Sequence, residues 1–332
     1  MSRLNAIKKT WAMSRKLSAQ RRGSALGYFI DALRCSTRHG ASPENYYVLR
    51  FYELDEEQRG RFLTSGRSKA VDAALNRRAT REDKLLIGRK ELFNAGFRGL
   101  VKRDFLYVPE HELAEFVAFI RRHERFMLKP TGGTMGRGIE RLCSADIEPE
   151  ALYERCRVQK LLLEEVIRQH PALDAVNPSC VNTVRINAAR GFDGKVRLIG
   201  ACLKCGGAGA VTDNFHTGGV AYPLDLESGT VTGPGRNNVD IQDYERHPGT
   251  DFAMPGFTVP YWQDVKDCVM QGMDRVPSLG YVGWDVAVTP EGPELIEGNF
   301  HWPGGNIIQF DGVGKYPMIL ECLGERYEEH TD

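Results

Sequence analysis

The stretch GWDVAVTPEGPELIEGNF, residues 283–300, decides the fold. Two apolar runs flank a Pro-Glu-Gly turn, a pattern that predicts a β-hairpin. In a symmetric hairpin centred on Glu291, Asp285 lies directly across from Glu297, and Asn299 shares their face. Opposed carboxylates repel one another, so either a divalent cation lies between them or both are solvated on an outer face. The hairpin alone leaves both interpretations open.

Length and composition predict a globular chain. The 332 residues are 42% hydrophobic, which is ordinary for a protein with more than one domain or subdomain. No apolar run approaches the roughly 18 residues of a membrane span, and the N-terminus lacks the apolar core of a signal peptide, so we expect a cytoplasmic protein. The eight cysteines are scattered, which predicts free thiols, and the CxxC of Cys202 and Cys205 lacks the second pair that a structural zinc site needs.

The N-terminus is basic although the chain as a whole is neutral. Residues 1–34 carry eight Lys and Arg against a single acid, Asp31. A basic helix of this kind can contact an acidic partner or an anionic membrane surface, and in principle a nucleic acid, although we expect no nucleic-acid partner. The alternative is a solvated helical face packed on the body of the protein.

The pattern changes along the chain from helix to strand. Apolar spacings of three and four predict helices through residues 1–80, then in REDKLLIGRKELFNAGF and EHELAEFVAFIRRH. Beyond residue 125 short apolar runs and Gly-rich loops predict mostly antiparallel strands, with one helix around YWQDVKDCVMQGMDRV. The fold class is therefore α+β.

The segment FMLKPTGGTMGRGIERL, residues 126–142, predicts a glycine-rich hairpin that follows Lys129. Glycines at a hairpin tip let backbone N–H groups close over an anion, and the lysine adds a positive charge, as in a phosphate lid. No Gly-Lys-Ser/Thr ends the loop and no helix follows it, so it is neither a Walker motif nor a dinucleotide fingerprint. A merely flexible turn is the alternative.

Three further segments carry weaker signals. KLLLEEVIRQH, residues 160–170, could be an edge strand whose backbone reads an adenine, with a carboxylate for the ribose hydroxyls, or simply a buried strand with a charged end. Arg185 in the apolar strand NTVRINAAR needs an anionic partner, either in a salt bridge or in a substrate. The loop TDNFHTGGVAY offers Asp213, Asn214 and His216 to a substrate pocket.

The order of these pieces resembles the ATP-grasp superfamily. LKPTGGTMGRGI, SCVNTVRI, DNFHTGGVAYPLD and GYVGWDVAVTPEGPELIEGN with PGGNIIQ together resemble the sugar-transfer associated ATP-grasp family, over about residues 80–320. The resemblance implies that two α+β subdomains, 81–162 and 163–332, clamp ATP behind a helical region, 1–80. It also implies ligand roles for named residues: Lys84 and Lys129 on the phosphates; Thr131, Gly132, Gly133, Gly136 and Gly138 in the lid; Glu164, Glu165, Val166 and Ile167 at the adenine; Asp285, Glu297 and Asn299 on Mg²⁺, with Mn²⁺ as an alternative.

Most enzymes of that superfamily activate a carboxylate as an acyl phosphate and then join it to an amine. The resemblance therefore implies an ADP-forming ligase in polysaccharide or other specialised biosynthesis, with Arg185 and Lys129 as catalytic residues and small carboxylate and amine or sugar-linked substrates. A kinase is the main alternative, with Asp213 or His216 as the base. A nucleotide-binding scaffold without turnover is a third.

Overall fold

The computed structural model describes residues 3–132, 138–210, 212–301 and 303–325. Its helices are α1 (Arg3–Gln20), α2 (Ala25–His39), α3 (Pro43–Val48), α4 (Glu56–Gly60), α5 (Ser65–Leu75), α6 (Arg81–Gly88), α7 (Lys90–Gly96), α8 (Leu113–Arg122), α9 (Pro149–Gln159), α10 (Pro171–Val176), α11 (Trp262–Arg275) and α12 (Tyr316–Cys322). Its strands are β1 (Phe105–Tyr107), β2 (Arg125–Pro130), β3 (Glu140–Cys143), β4 (Leu161–Glu165), β5 (Thr183–Arg190), β6 (Val196–Cys205), β7 (Val220–Leu224), β8 (Tyr281–Thr289) and β9 (Gly292–Asn299).

The strands form two antiparallel sheets. The small sheet has the order β1-β4-β2-β3 and the large sheet the order β7-β6-β5-β8-β9. The α+β expectation is therefore confirmed. Of the two interpretations of residues 160–170, the edge strand is wrong, because β4 pairs with β1 on one side and β2 on the other. Residue 162, the last residue of the first expected subdomain, lies in β4, and the division into subdomains stays a prediction.

The N-terminal helices confirm the predicted helical region and cover one face of the large sheet. Leu17 and Phe51 share a buried core with Ala189 of β5 and Ile199 of β6. The opposite face of the large sheet packs against α7 and α11, and the small sheet packs against α8 and α9. Because both faces of the large sheet are covered, β5 and β8 are buried almost throughout, and charged residues on them need partners.

The single helix expected over REDKLLIGRKELFNAGF is two helices. Thr80 caps the start of α6, its hydroxyl accepting the N–H of Asp83 at 3.2 Å. Arg89 is extended, with φ −116° and ψ 117°, directly after Gly88, a residue of low helix propensity. The break starts α7 at Lys90, whose backbone N–H donates to the carbonyl of Thr131 at 3.3 Å. It therefore brings Lys90 beside the glycine-rich hairpin.

No helix within the described ranges is both long enough and apolar enough to cross a lipid bilayer.

Candidate functional site

The β8–β9 hairpin places Asp285 directly opposite Glu297, as the sequence predicts, but by a different route. Thr289 pairs with Gly292, so the turn residues are Pro290 and Glu291 rather than Glu291 alone. A regular ladder from that turn would set Asp285 against Ile296. A β-bulge at Ile296 shifts the register by one residue and restores the pairing of the two acids.

Asp285 is held by two buried cations from neighbouring strands. Arg185 on β5 grips it with two hydrogen bonds, Nε to Oδ1 at 2.7 Å and Nη2 to Oδ2 at 2.8 Å, and Lys204 on β6 donates to Oδ2 at 3.1 Å. Burial by itself would raise the pKa of Asp285, but these two charges outweigh it and hold the pKa well below its usual range. Asp285 is therefore a permanent anion, and the anionic partner expected for Arg185 is this carboxylate.

The pKa of Glu297 shifts in the opposite direction from that of Asp285. Its side chain is open to solvent, yet surrounding protein atoms desolvate it and Asp285 faces it, and both effects raise its pKa. Asn299 donates to its Oε1 at 3.1 Å. Behind it, the charges of Arg185 and Lys204 balance those of Asp285 and of Asp213, which lies 3.3 Å from Lys204 Nζ. Glu297 thus adds a further negative charge to this face of the sheet, within electrostatic reach of Lys90.

The donor set fits a magnesium ion. Two carboxylates and an amide oxygen on adjacent strands are the oxygen ligands that Mg²⁺ takes together with phosphates, and a cation would relieve the repulsion between Asp285 and Glu297. Asp285 keeps a lone pair on Oδ1 after its contacts to Arg185 and Lys204. Among the described residues, no three His, Cys, Asp or Glu side chains form a metal cluster, so the amide of Asn299 is needed to complete this one.

A second charged group centres on Glu164 of β4. Lys129 on β2 donates to its carboxylate at 2.6 Å, Arg103 at 2.8 Å and Asn94 at 2.9 Å. Burial would raise the pKa of Glu164, but Arg103 and Lys129 hold it well below its usual range. The carboxylate of Glu164 therefore orients Lys129, and its expected role toward ribose hydroxyls stays a prediction.

Arg103, which the sequence analysis did not single out, joins the two sheets. Besides Glu164 in the small sheet, it contacts Glu294 of β9 at 3.3 Å and donates to the carbonyl of Leu295 at 2.8 Å. All three charged side chains are almost completely buried. One guanidinium thus sets the position of Lys129 relative to the hairpin that carries Glu297. No local sequence pattern marks Arg103, because its partners lie 61 and 191 residues away.

Lys90 was also missed. Burial lowers its pKa, and its charge interacts with those of Glu297, Lys129 and Glu164. It therefore belongs to the charge cluster between the two sheets. Lys84, whose expected role on the phosphates stays a prediction, lines a cavity of about 340 Å³. The signal that could have found Lys90 is the Gly88-Arg89 pair, which ends a helix just before it.

The cavity that contains Lys84 begins one residue beyond Asn299. Phe300 and His301 form one wall, and α5 supplies polar groups that include Lys69 and Asp72. His301 lies 3.5 Å from the carboxylate of Asp72. The cavity therefore combines cationic and hydrogen-bonding groups beside the candidate metal ligands.

The expected lid and adenine segments are described only in part. Thr131 is buried, and Gly132 and Gly138 are exposed at the two ends of the hairpin, Gly138 with φ 74°. Gly133 and Gly136 lie outside the described residues. Of the expected adenine contacts, Glu165 accepts the backbone N–H of Asp104 at 3.0 Å. Val166 and Ile167 lie just past the paired part of β4, half-buried.

The loop residues predicted to shape a substrate pocket separate in the structure. Asp213 joins the charged cluster through Lys204 and the hydroxyl of Thr183. Asn214 caps a short 3₁₀-helix by accepting the N–H of His216 at 2.9 Å. His216 is exposed, 3.2 Å from the amide of Asn238. Of the three, Asp213 alone contacts the cluster around Asp285.

Cys202 and Cys205 lie three residues apart on β6, so their side chains point to opposite faces of the sheet and cannot bind one metal ion together. Burial raises the pKa of Cys202 to about 12. All eight cysteines are free thiols, as expected.

The chain is similar to one protein family and to several solved structures. The family described as sugar-transfer associated ATP-grasp matches residues 82–314. No curated protein matches the sequence. Solved structures with similar folds include the ADP complex of purK, an N5-carboxyaminoimidazole ribonucleotide synthetase (13% identity, 65% of this chain and 45% of that one, TM-score 0.42). Two others are the ATP-grasp ligase PsnB with a precursor variant, Mg and ADP (15%, 77% and 67%, 0.44) and D-alanyl-alanine synthetase A from Vibrio cholerae (12%, 75% and 63%, 0.42). The chain thus spans between 45% and 67% of the lengths of these proteins.

Proposed function

Because the chain belongs to the sugar-transfer associated ATP-grasp family, we propose that it is an ATP-dependent, ADP-forming ligase that activates a carboxylate and joins it to an amine. The observation that carries the proposal is the opposition of Asp285 and Glu297 in front of a neutralised charge cluster, with Lys129 supplied by the small sheet and Lys90 by α7. Asp285, Glu297 and Asn299 provide oxygen ligands of the kind that bind Mg²⁺. Lys90 and Lys129 provide positive charges of the kind that bind phosphate oxygens.

In the proposed reaction, a carboxylate oxygen of the acid attacks the γ-phosphorus of ATP, the bond from that phosphorus to the β-phosphate oxygen breaks, and ADP leaves. An amine then attacks the carbonyl of the acyl phosphate, phosphate departs with the bonding electron pair, and the amine loses a proton. Bound Mg²⁺ would neutralise charge on the phosphates. Lys129, oriented by Glu164, and Lys90 would hold phosphate oxygens in line with the incoming carboxylate.

Arg185 would act mainly through Asp285. Three of its five N–H groups are engaged by Asp285 and by the carbonyl of Pro303, which accepts at 2.9 Å. Gly304 closes over the guanidinium, where a Cβ would lie 2.8 Å from Nη1. The two N–H groups that remain could reach a developing negative charge on the acyl phosphate.

We propose that the cavity beyond Asn299 receives the acid substrate. Lys69 and Lys84 would bind its carboxylate or other anionic groups, while Asp72 and His301 provide hydrogen bonds. Lys69 and Asp72 on α5 precede residues 82–314, the part that matches the family. The helical N-terminal region would therefore contribute to the choice of substrate. A substrate in polysaccharide or other specialised biosynthesis suits the family's description.

The kinase alternative has less support from the contacts. Its candidate base Asp213 is tied to Lys204 and Thr183, and its other candidate, His216, lies on the surface. A base must be free to take a proton from the acceptor hydroxyl. Neither residue is arranged for that role.

The test uses the purified full-length protein with ATP, Mg²⁺, hydroxylamine and pools of carboxylic acids. Hydroxylamine traps an acyl phosphate as a hydroxamate, so the natural amine need not be known. Acids labelled with ¹⁸O should pass one label into the released phosphate, because the attacking oxygen stays with phosphorus. Phosphate retained on an acceptor hydroxyl, without hydroxamate, would identify a kinase. No ADP from any pool would favour the scaffold.

Glu297→Gln should abolish hydroxamate formation. Glu291→Gln is the matched control, since Glu291 is an exposed acid in the turn of the same hairpin. Equal activity of the two variants would overturn the assignment of the metal ligands.

A further inference from the structure

The helical hairpin of α1 and α2 exposes a large apolar surface. On α1, Leu4, Ile7 and Trp11 follow one another at spacings of three and four, and on α2, Leu26, Ile30 and Leu33 do the same, so each trio lies on one helix face. Their exposed fractions run from 41% for Trp11 to 61% for Leu4. Trp11 packs edge-on against Phe29 of α2, with ring centroids 5.6 Å apart, which links the two faces. These six side chains are called the apolar strip below.

Basic side chains flank the apolar strip. Lys8 lies four residues after Leu4 and three before Trp11, Arg15 lies four after Trp11, and Arg34 lies four after Ile30, so each is a surface neighbour of the strip. All three are exposed. In the described part of the chain, no ion pair occupies any of them.

The acid of this region does not offset these charges. Asp31 accepts hydrogen bonds from Arg59 at 2.8 and 3.0 Å and from the hydroxyl of Tyr46 at 2.8 Å, so its carboxylate is turned into the body of the protein. The outer surface of the hairpin therefore presents apolar groups and positive charge together.

We propose that the α1–α2 hairpin docks on an anionic lipid membrane, with the apolar strip inserted at the level of the headgroups and Lys8, Arg15 and Arg34 against lipid phosphates. Exposed Leu and Ile beside a Trp, bordered by Lys and Arg, is the chemistry of an interfacial amphipathic helix. A nucleic acid would match the charge but not the apolar side chains. An acidic protein would match the charge, yet the apolar groups require a complementary apolar surface as well, whereas a bilayer offers both. This surface is separate from the proposed catalytic site.

The experiment measures binding of the full-length protein to vesicles of phosphatidylcholine alone and of phosphatidylcholine with phosphatidylglycerol at about 1:1. We expect binding only to the anionic vesicles, weakened by salt. Replacing the α2 trio with serine (L26S, I30S, L33S) should weaken binding at least about tenfold. Replacing the cations (K8Q, R15Q, R34Q) should weaken it on the order of 100-fold at low salt. The control is the triple variant V158S, V239S, V313S, which replaces three valines outside the strip whose exposed fractions are 79%, 60% and 58%.

Brominated phosphatidylcholine in the anionic vesicles locates the contact. It should quench tryptophan fluorescence in the wild type, and the quenching should be lost in Trp11→Phe, because Trp262 and Trp284 are buried. Trp302→Phe is made beside it, since the chain has four tryptophans, and should keep the quenching. Thermal unfolding of every variant checks that it folds.

Failure to bind anionic vesicles, or equal binding by the serine variant and its control, would overturn the proposal. Self-association of the wild type that the serine substitutions abolish would identify the strip as an interface between two copies and overturn it too.

Discussion

Removing the charge of Asp285 should lower the free energy of unfolding, whereas removing the charge of Glu297 should raise it slightly. Asp285→Asn leaves Arg185 and Lys204 buried without their main anion, and breaking a buried pair of this kind costs about 3–5 kcal/mol. Glu297→Gln instead removes a like charge across the strands, which is worth about 0.2–1 kcal/mol in the stabilising direction. The predicted difference between the variants is therefore about 3 kcal/mol or more, a large part of the roughly 5–15 kcal/mol stability of a domain.

Urea unfolding without nucleotide or Mg²⁺, followed by circular dichroism, measures this difference. We expect the midpoint of Asp285→Asn to fall clearly and that of Glu297→Gln to stay level or rise slightly. Both variants should lose ATP turnover by about 100-fold or more, since several kcal/mol of charge stabilisation depend on the ion they hold. Equal destabilisation by the two substitutions would refute the reasoning, because it would mean that Glu297 is paired rather than repelled.

The pH dependence of the same measurement is a second check. Desolvation by the surrounding protein atoms and the charge of Asp285 raise the pKa of Glu297 above its ordinary value of 4.5, so the folded state holds that proton more tightly than the unfolded chain does. The repulsion between Asp285 and Glu297 is therefore absent below about pH 4.5 and complete above the raised pKa of Glu297. The difference in stability between Glu297→Gln and the wild type should accordingly grow as the pH rises through that window. A difference that does not change with pH would contradict the repulsion between Glu297 and Asp285.

Substitutions at Lys90, Arg103 and Gly304 test other parts of the site, the first and last against a matched second variant. Lys90→Met should raise the KM for ATP by about 10–100-fold, which corresponds to the loss of one charge-assisted hydrogen bond. Lys84→Met should leave the KM for ATP within about twofold. Steady-state kinetics that rank the two variants the other way would support the phosphate role that the sequence predicts for Lys84. Arg103→Met should cost about 3–5 kcal/mol in urea unfolding because it removes a charged partner from each of two buried glutamates, and a loss below about 1 kcal/mol would contradict its bridging role. Gly304→Ala should destabilise more than Gly312→Ala, since both have positive φ (78° and 80°) but Gly304 alone of the two contacts Arg185; equal loss would show that the contact is unimportant.

Short-range sequence patterns predict much of the fold. Apolar alternation and Gly-rich turns predict the strands β2, β5, β6, β8 and β9, and three- and four-residue spacing predicts α8 and α11. Symmetry about Glu291 predicted the pairing of Asp285 with Glu297, but the turn lies at Pro290 and Glu291 and a bulge at Ile296 produces that pairing. These features are readable because each depends on residues close together in sequence.

The sequence by itself therefore determined the family, the α+β class and the acidic hairpin, all of which depend on residue type and short-range order. Tertiary structure alone decided which lysine joins the charge cluster, that Glu164 is an anchor for Lys129, and that Arg103 ties the two sheets together. Those outcomes depend on contacts between residues tens to hundreds apart, and the energy of a buried charge is set by which partner the fold brings to it. No local pattern carries that information.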